Sequence, residues 1–600
     1  MKKISFSKAG GVAFPDFIRN EKRIKHKGDY DEKKKPLRDF FLPLICIVIF
    51  TFLFIKLVDL QVFKSNYYRL LSDSNRTKTN IIHAPRGIIF DRNAVPLVFN
   101  TPGFRKTENG KTIFFERKTA LFLIAQSKDL EVDSLREYPY KDEISHVLGF
   151  IGQISKEEIE KEEFKNYNIK DVIGKEGIEK QYENLLRGKD GKELVEVDSF
   201  GKTLRTLGNT EPIPGQDIKL TLDLNIQRAS FVAMQDVKKG AVIVSKPNGE
   251  ILALLSKPSF DANLFTLGES YKTATVSGYQ EVSDVLMDGQ NQPLLNRAIS
   301  GTYPPGSTFK IITSAAALEE NKMDENFKIE DTGVLQVGAF SYANWYWTKY
   351  GRKEGSINIV DAIKRSNDIF FYKTAEMVGV DKLSEMGRKF GLGSALGIDI
   401  EGEARGIVPD QKWKKENIGE GWYLGDTYHY GIGQGFVLTT PLQVNAWTQV
   451  ISNKGTLYQP RLLLNSKLKI QNSKFLSDKT ISLIRQGMIE SCSTGGVAWP
   501  LFEFKVKNEK LKVDGKNFLE APQSTQSANF KDYRKISIAC KTGTAEQGGP
   551  TSEPHAWITL FAPAYNPEIV VTVLVEEGGE GSNVAAPIAK KILEFYFEKK

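Results

Sequence analysis

The chain has 600 residues, of which 40% are hydrophobic and 26% charged, and its formal net charge is +8. This length is too great for one ordinary domain, and the composition is that of a folded chain. The charge is uneven, because residues 1–39 hold 12 Lys and Arg against 6 Asp and Glu, whereas the rest holds 70 against 68. The globular bulk therefore lacks the positive surface of a nucleic-acid-binding protein.

A long apolar run follows the basic tail. Phe40–Ile55 is uncharged but slightly shorter than the roughly 20 residues that span a bilayer. Lys56 can extend its ammonium group to the membrane interface while the apolar residues after it continue the span. A buried core helix and a cleaved signal peptide are the alternatives, although no small-residue cleavage site follows. We predict one uncleaved transmembrane helix over residues 40–62, with the tail in the cytoplasm and the remaining chain outside it.

The cysteines are Cys46, Cys492 and Cys540. They are too few for a disulfide framework, and no Cys-x-x-Cys pair suggests zinc. A Cys492–Cys540 bridge is the alternative in an oxidising compartment. We favour two separate buried thiols.

Residues 63–215 mix short strand-like runs with charged helical stretches. Gly174–Gly191 should form a helix, because its apolar residues recur at helical spacing. Pro212, Pro214 and Gly215 indicate a linker or the entry to a second domain. Around these segments we also expect a strand over Ile218–Leu224 and helices over Lys156–Glu163 and Asn225–Val237.

The clearest local pattern lies at residues 240–256, where two apolar strands flank Pro247-Asn248-Gly249. Asn-Gly tolerates positive φ, so this pattern predicts a hairpin. A long mixed helical region should follow to about residue 400, and residues 503–533 should form a surface insertion. The order of a β-hairpin, then helices, then further strands predicts an α+β fold in which helices flank one antiparallel sheet. Those later strands are expected at Ser537–Ala539, Ala556–Phe561 and Glu568–Val575.

A serine follows a Pro-Pro-Gly break at Tyr303–Lys310 (YPPGSTFK) and opens the apolar helix Phe309–Leu318. Serine at a helix start is usually only an N-cap. Lys310 points to chemistry, because at i+3 its amine lies on the same helix face as the Ser307 hydroxyl and could take its proton. To do so it must be neutral, which requires burial or a nearby cation. This motif alone is weak.

Two further segments strengthen the prediction. Ser366-Asn367-Asp368 is a polar triplet beside an apolar run, and by itself it would indicate a loop or an N-cap. Lys541-Thr542-Gly543-Thr544 ends a strand pattern, where a glycine permits close approach of a ligand carboxylate. The ordered set SxxK, SxD and KTG is the signature of class A β-lactamases and penicillin-binding proteins.

The sequence resembles the class B penicillin-binding proteins, and most closely the elongation-type penicillin-binding protein 2. The resemblance extends to RGIIFDRN (Arg86–Asn93), to GKEGIEKQYENLLRGKDG (Gly174–Gly191) and to HAWITLFAPAYNP (His555–Pro567). It implies four segments, namely a basic cytoplasmic tail (1–39), a transmembrane helix (40–62), a pedestal or dimerisation-type domain (63–215) and a transpeptidase domain (216–600). Three departures stand out. The segment between Asn100 and Tyr138 is much shorter than the usual head of the pedestal in this family, Asp368 occupies a position where many relatives have Asn, and Cys540 one where small residues are common.

The resemblance also implies a mechanism without metal or organic cofactor. Ser307, deprotonated by Lys310, would attack a stem peptide ending in D-Ala-D-Ala, and an amine of a second stem peptide would take the acyl group. Ser366, Asp368 and Lys541 would relay and order protons. The donor carboxylate would lie against Lys541, Thr542, Gly543 and Thr544, and the backbone N–H groups of Ser307 and Thr544 would form the oxyanion hole. The resemblance further implies inhibition by β-lactams and a membrane-embedded glycosyltransferase partner of the SEDS type.

Three alternatives remain. A D,D-carboxypeptidase or β-lactamase would pass the same acyl group to water. A bifunctional glycosyltransferase–transpeptidase would need more than residues 63–215 for its polymerase domain. A non-catalytic scaffold would have no need of Ser307, Lys310, Ser366 and Lys541. We favour the transpeptidase, in elongation and not division.

Overall fold

A computed structural model of the chain describes residues 38–108, 111–126, 130–267, 271–273, 275–507, 533–548 and 552–599. Residues 1–37 of the expected cytoplasmic tail and most of the expected insertion at 503–533 lie outside the described residues, and the last two tail residues begin the apolar helix. The chain divides into two compact units, one of Met1–Lys78 with Leu194–Leu207 and one of Thr79–Glu193 with Gly208–Lys600.

The first unit contains the apolar helix. Helix α1 (Arg38–Val58) continues through one π-helical turn at Asp59–Phe63, and helix α2 is Ser65–Arg76. Phe41–Phe63 forms a helix of 23 residues that is long and apolar enough to cross a membrane, and no part of its apolar stretch is buried in the protein. It is the one such helix in the described part of the chain. An exposed, uniformly apolar helix of this length suits a lipid environment.

The remaining helices are short or of moderate length. In chain order they are α3 (Arg117–Ala125), α4 (Ser145–Leu148), α5 (Lys156–Ile159), α6 (Gly177–Gln181), α7 (Glu183–Leu186), α8 (Leu224–Ala233), α9 (Asn263–Leu267), α10 (Val282–Met287), α11 (Lys310–Glu319), α12 (Trp345–Tyr350), α13 (Ile359–Arg365), α14 (Asp368–Val378), α15 (Val380–Lys389), α16 (Gln411–Asn417), α17 (Leu424–Gly431), α18 (Pro441–Ser452), α19 (Asp478–Ser491) and α20 (Ala585–Glu598).

The strands are mostly short outside the main sheet. In chain order they are β1 (Thr77–Ile82), β2 (Ile89–Phe90), β3 (Pro96–Glu108), β4 (Lys111–Glu116), β5 (Glu131–Glu137), β6 (Ile151–Gln153), β7 (Val172–Gly174), β8 (Gly191–Val197), β9 (Thr203–Thr210), β10 (Ile218–Lys219), β11 (Gly240–Ser245), β12 (Ile251–Lys257), β13 (Ile329–Asp331), β14 (Val334–Val337), β15 (Phe340–Ala343), β16 (Gly355–Ile357), β17 (Leu457–Tyr458), β18 (Ile470–Asn472), β19 (Lys505–Lys507), β20 (Tyr533–Lys535), β21 (Ala539–Ala545), β22 (His555–Ala562) and β23 (Ile569–Val575).

The main sheet lies in the second unit and has the strand order β12-β11-β23-β22-β21. All its neighbouring strands are antiparallel. The predicted hairpin is confirmed, because β11 and β12 pair across the turn at Pro247-Asn248-Gly249. Strand β21, which carries the KTG residues, is an edge strand of this sheet. Its outer side is therefore available to a peptide backbone.

Helices cover both faces of this sheet, as the predicted α+β class requires. Every residue of α18 is buried, and so are the first nine residues of α11. A helix that is buried on all sides belongs to a core, and its polar side chains, such as Asn445 of α18 and Lys310 of α11, are hydrogen-bonded there. On the other face, α8 and α20 pack against β-sheet residues such as Val242, Val244 and Val571. The two buried layers hold the edge strand and α11 in fixed positions.

Several local predictions were too simple. Instead of one helix, Gly174–Gly191 forms α6 and α7, which are separated at Tyr182, whose hydroxyl donates to Asp399 at 2.8 Å. The predicted helix at Lys156–Glu163 is reduced to the single turn α5 and a 3-10 turn. The region expected to be helical up to residue 400 also contains strands β13 to β16. In each case tertiary contacts outweigh local periodicity.

The favoured interpretation of the cysteines was wrong. Cys492, which ends α19, and Cys540 in β21 form a disulfide with a Cα–Cα distance of 5.9 Å. Both residues are buried. Their sequence separation of 48 gave no sign of this proximity, which results from the packing of α19 against β21. Cys46, in the apolar helix, is free and exposed.

Candidate active site

The candidate nucleophile lies in a tight turn. Ser307 belongs to a 3-10 turn (Gly306–Phe309) that runs directly into α11, and its side chain is half-buried. Gly306 has φ of +53° and donates its N–H to the Gly433 carbonyl at 2.9 Å. A Cβ atom at Gly306 would lie 3.0 Å from the Thr544 carbonyl oxygen. The turn therefore needs glycine, both for its backbone angle and for its contact with the KTG strand.

Lys310 is the first residue of α11 and is fully buried. Its Nζ donates to Asp368 Oδ1 at 2.7 Å and to the Ser366 carbonyl at 2.8 Å, and it lies 3.3 Å from Ser366 Oγ. Burial lowers the pKa of the Lys310 amine, and the nearby Asp368 carboxylate opposes this effect without cancelling it. The Lys310 amine is thus directed at Ser366-Asn367-Asp368, the SND triplet. Among the described residues the Ser307 hydroxyl has no hydrogen-bond partner.

Ser366 lies between two helices in a left-handed conformation, with φ of +54°. The Asn367 side chain then caps α14 by accepting the N–H of Phe370, and Asp368 is the first residue of that helix. This break turns the Ser366 hydroxyl and the Asp368 carboxylate towards Lys310. The triplet is thus an N-cap, as its local pattern suggested, and at the same time part of the site.

Lys541 is the second fully buried amine of the site. Its Nζ donates to Ser366 Oγ at 2.8 Å and to the Thr542 carbonyl at 3.0 Å. Burial, together with the positive charge of Lys310, lowers the pKa of Lys541 well below its usual value. Two lysines and one carboxylate, Asp368, therefore surround a single hydroxyl, an arrangement that disfavours protonation of both amines at once.

The KTG strand approaches the nucleophile turn closely. A Cβ atom at Gly543 would lie 3.1 Å from the Pro305 carbonyl oxygen and from Thr308 Cγ2. Thr542 is almost fully buried, whereas Thr544 is exposed at the edge of the sheet. The Thr544 hydroxyl accepts a long hydrogen bond of 3.5 Å from the Gly581 N–H. Only a glycine at position 543 allows the strand and the turn to be so close.

The structure brings all three predicted motifs together. Beyond them, sequence reasoning missed a buried polar network that includes Asp331, Asn344 and Glu354 and reaches Asp368. Trp345 also belongs to it, because its backbone N–H donates to Asp368 Oδ2 at 3.0 Å. No motif spacing connects these residues to the SND triplet, so the sequence carried no signal for them.

Comparison with known families is consistent with this geometry. The family profile described as "Penicillin binding protein transpeptidase domain" matches residues 239–594, and the one described as "Penicillin-binding Protein dimerisation domain" matches residues 126–220. The "Peptidoglycan D,D-transpeptidase MrdA" of Salmonella typhimurium is 31% identical over 640 aligned residues, which cover 95% of this chain and 97% of that protein.

Solved structures agree. The penicillin-binding protein PBP2 from Helicobacter pylori, solved in complex with MreC, is 28% identical with a TM-score of 0.71, covering 87% of this chain and 99% of that one. A chain from a structure titled "Structural coordination of polymerization and crosslinking by a peptidoglycan synthase complex" is 28% identical with a TM-score of 0.69, covering 94% and 99%. From this similarity over nearly its whole length, the chain belongs to the class B penicillin-binding proteins of the PBP2 type.

Proposed function

We propose that this protein cross-links peptidoglycan as a D,D-transpeptidase and that Ser307 carries the acyl group. The observation that supports this most is the convergence of two buried amines, Lys310 and Lys541, on the Ser366 hydroxyl beside the nucleophile turn. Because burial lowers their pKa values, these amines give up a proton more readily than an ordinary lysine, and acyl transfer to and from a serine requires such proton exchange.

In the first half-reaction the donor is a stem peptide that ends in D-Ala-D-Ala. The Ser307 oxygen attacks the carbonyl carbon of the penultimate residue while the neutral Lys310 amine takes the hydroxyl proton. The C–N bond then breaks, and the terminal D-Ala leaves as an amine. Ser366 contacts both lysines, so its hydroxyl can pass a proton to the leaving nitrogen. Asp368 keeps Lys310 aligned during these steps.

The edge position of β21 supports the proposed donor site. Its backbone can pair with an extended peptide, and Lys541, Thr542, Gly543 and Thr544 would hold the terminal carboxylate. We assign the oxyanion hole to the backbone N–H groups of Ser307 and Thr544. A single such donor typically stabilises the transition state by about 3 kcal/mol.

In the second half-reaction an amine from a neighbouring stem peptide attacks the ester carbonyl, which restores Ser307 and forms the cross-link. Hydrolysis by a D,D-carboxypeptidase or a β-lactamase would need a base directed at water instead. The nearest acidic residue after the KTG motif is Glu546, which is exposed just beyond β21. Its charge acts on Tyr372 and His429, and no contact between it and Ser307 is observed in the described chain.

We further propose a single-pass topology, with residues 1–39 in the cytoplasm and a pedestal (63–215) and transpeptidase domain (216–600) outside it. The exposed apolar helix at Phe41–Phe63 supports an anchor in the cytoplasmic membrane. The similar chain from a complex of polymerization and crosslinking supports a membrane-embedded glycosyltransferase of the SEDS type as partner. The MrdA relatives and the PBP2 structure with MreC support a role in elongation of the lateral wall.

Covalent labelling tests the assignment of the nucleophile. A fluorescent penicillin should acylate the purified protein, because its strained cyclic amide mimics the donor while its tethered leaving group blocks the acceptor. Mass spectrometry of the digested adduct should place the label on Ser307, and Ser307→Ala should abolish it. Labelling of another residue, or undiminished labelling of Ser307→Ala, would disprove the proposed mechanism.

A further inference from the structure

A buried carboxylate without a cationic partner lies behind the SND triplet. Asp331, at the end of β13, is only 2% exposed. Its oxygens accept four hydrogen bonds, from the Gly333 N–H (2.8 Å), the Asn344 amide (2.9 Å), the Asn367 amide (2.9 Å) and the Glu354 N–H (3.0 Å). In the described part of the chain no Lys, Arg or His pairs with it. Such a charge is tolerated only because neutral donors satisfy it completely.

The carboxylate fixes the orientation of two side-chain amides. A carboxylate only accepts hydrogen bonds, so Asn344 and Asn367 must both turn their NH₂ groups towards Asp331. The Asn367 NH₂ group also donates to Glu354 Oε2 at 2.9 Å, so Asn344 is the amide that depends more on Asp331. Both carbonyl oxygens therefore face the other way. The Asn344 oxygen accepts the N–H of Asp368 at 3.2 Å, and the Asn367 oxygen accepts the N–H of Phe370 at 2.9 Å. Both acceptors hold the first turn of α14.

This network continues to the catalytic amine. Trp345, which follows Asn344, donates its N–H to Asp368 Oδ2 at 3.0 Å, and the other oxygen of Asp368 accepts Lys310 Nζ at 2.7 Å. The backbone N–H and Oδ2 of Asp368 are thus held by Asn344, which Asp331 orients, and by its neighbour Trp345, while Oδ1 is left to accept Lys310. Asp331 itself makes no contact with Lys310 or Ser307.

We propose that Asp331 is a positioning residue for acylation, which sets the Asp368 carboxylate against Lys310 by fixing the amides of Asn344 and Asn367. This inference rests on the proposed roles of Ser307 and Lys310. A residue that only stabilised the hairpin of β14 and β15 would affect the stability of the fold alone. Loss of the Asp331 carboxylate should also change the protonation of Lys310.

The expected direction follows from the groups that face Lys310. Asp368 from α14 and the more distant Glu354 raise its pKa, whereas burial lowers it, and Lys541 from β21 adds a second positive charge to the site. If Asp368 moves away, the opposing effect weakens and the pKa of Lys310 falls further. The acid limb of the acylation rate, where Lys310 loses its proton, should then shift to lower pH.

The test is Asp331→Asn in the full-length protein, with the rate of penicillin acylation measured across pH. The amides of Asn344 and Asn367 donate to the same oxygen, Oδ2, whereas the Gly333 N–H donates to Oδ1. An asparagine at position 331 must therefore place its NH₂ group either against the Gly333 N–H or against the two amides, and it lacks the negative charge, so it holds both amides more weakly. We expect the rate at neutral pH to fall about tenfold or more and the acid limb to move to lower pH.

Asp261→Asn is the matched control. Asp261 is also fully buried and also accepts four bonds from neutral donors, in Asn263, Tyr271 and Thr273. It makes no observed contact with the motif residues in the described chain. This variant should lose a similar amount of thermal stability while the rate and the acid limb stay those of the parent.

An unshifted acid limb in folded Asp331→Asn would overturn the proposal, and so would an equal shift in Asp261→Asn. If Asp331→Asn does not fold, Asn344→Ser is the second variant, because it removes the acceptor for the Asp368 N–H. A shifted acid limb in Asn344→Ser supports the inference, and an unshifted one overturns it. Absence of labelling at Ser307 in the parent would instead refute the proposed function, independently of Asp331.

Discussion

At the residue scale, Lys310 has the most demanding role in the proposed mechanism, because there its amine must lose a proton inside the protein. Lys310→Arg keeps the charge but installs a guanidinium that stays protonated. We expect the acylation rate to fall by about 100-fold or more while the protein stays folded. Stopped-flow labelling with a fluorescent penicillin measures the rate, and circular dichroism checks the fold. A rate within a few-fold of the parent would show that another residue is the base.

The pH dependence of acylation provides a second residue-scale prediction. Because burial lowers the pKa of Lys310 from its usual 10.5, the rate should rise with pH along an acid limb that ends below that value. Asp368 favours the protonated amine, so Asp368→Asn should move this limb to lower pH and also lower the maximal rate. Rates at a series of pH values for both proteins are the measurement. A limb that moves upward would contradict the assigned contact.

At the scale of elements, the site depends on the close approach of the nucleophile turn to β21. Gly306→Ala should lower the free energy of unfolding by about 1 kcal/mol, because alanine disfavours the left-handed backbone at this position. Its Cβ atom should also push the turn away from the Thr544 carbonyl and so slow acylation. Gly351→Ala is the control, because Gly351 also has a left-handed backbone, with φ of +63°, but open space where a Cβ atom would lie. Both variants should lose similar thermal stability. Equal acylation rates in the two would mean that the approach is unimportant.

The same element scale explains why β21 is well placed. Its inner neighbour is β22, its end is joined to α19 by the Cys492–Cys540 disulfide, and its outer side carries the KTG residues. The strand is thus fixed on one side and open on the other. An edge strand that is held rigidly can bind an extended peptide with little loss of its own conformational entropy.

At the scale of the whole molecule, the proposed single-pass topology rests on the apolar helix at Phe41–Phe63. A reporter that is active only when exported should be active when fused after residue 600, and one that is active only in the cytoplasm should be active when fused before Phe40. Enzyme assays of cells that express each fusion are the measurement. The opposite pattern would invalidate both the orientation and the proposed substrate.

The fate of the acyl-enzyme also belongs to this scale, because it depends on whether the entire site lets water or an amine attack the ester. Without a base directed at water, the ester formed from a β-lactam or a thioester donor should persist for many minutes, and a suitable amine should speed its release from the thioester-derived form. Mass spectrometry of the intact protein over time follows both species. Hydrolysis within seconds in the absence of amine would instead indicate a carboxypeptidase or a β-lactamase.

The sequence by itself determined the apolar helix, the hairpin at residues 240–256 and the three catalytic motifs. These features depend on patterns within a few residues, such as an uninterrupted apolar run, an Asn-Gly turn or a serine three residues before a lysine. Their order along the chain was enough to predict the family and the α+β class, because each motif requires the same local element wherever it occurs.

Only the tertiary structure decided how these motifs act on one another. Ser366 lies between Lys310 and Lys541, although 56 and 175 residues separate it from them. The Cys492–Cys540 disulfide and the role proposed for Asp331 arise in the same way, from contacts between distant segments. Such contacts are set by how buried helices and strands pack, and that depends on the shape of the whole core, which no local spacing encodes.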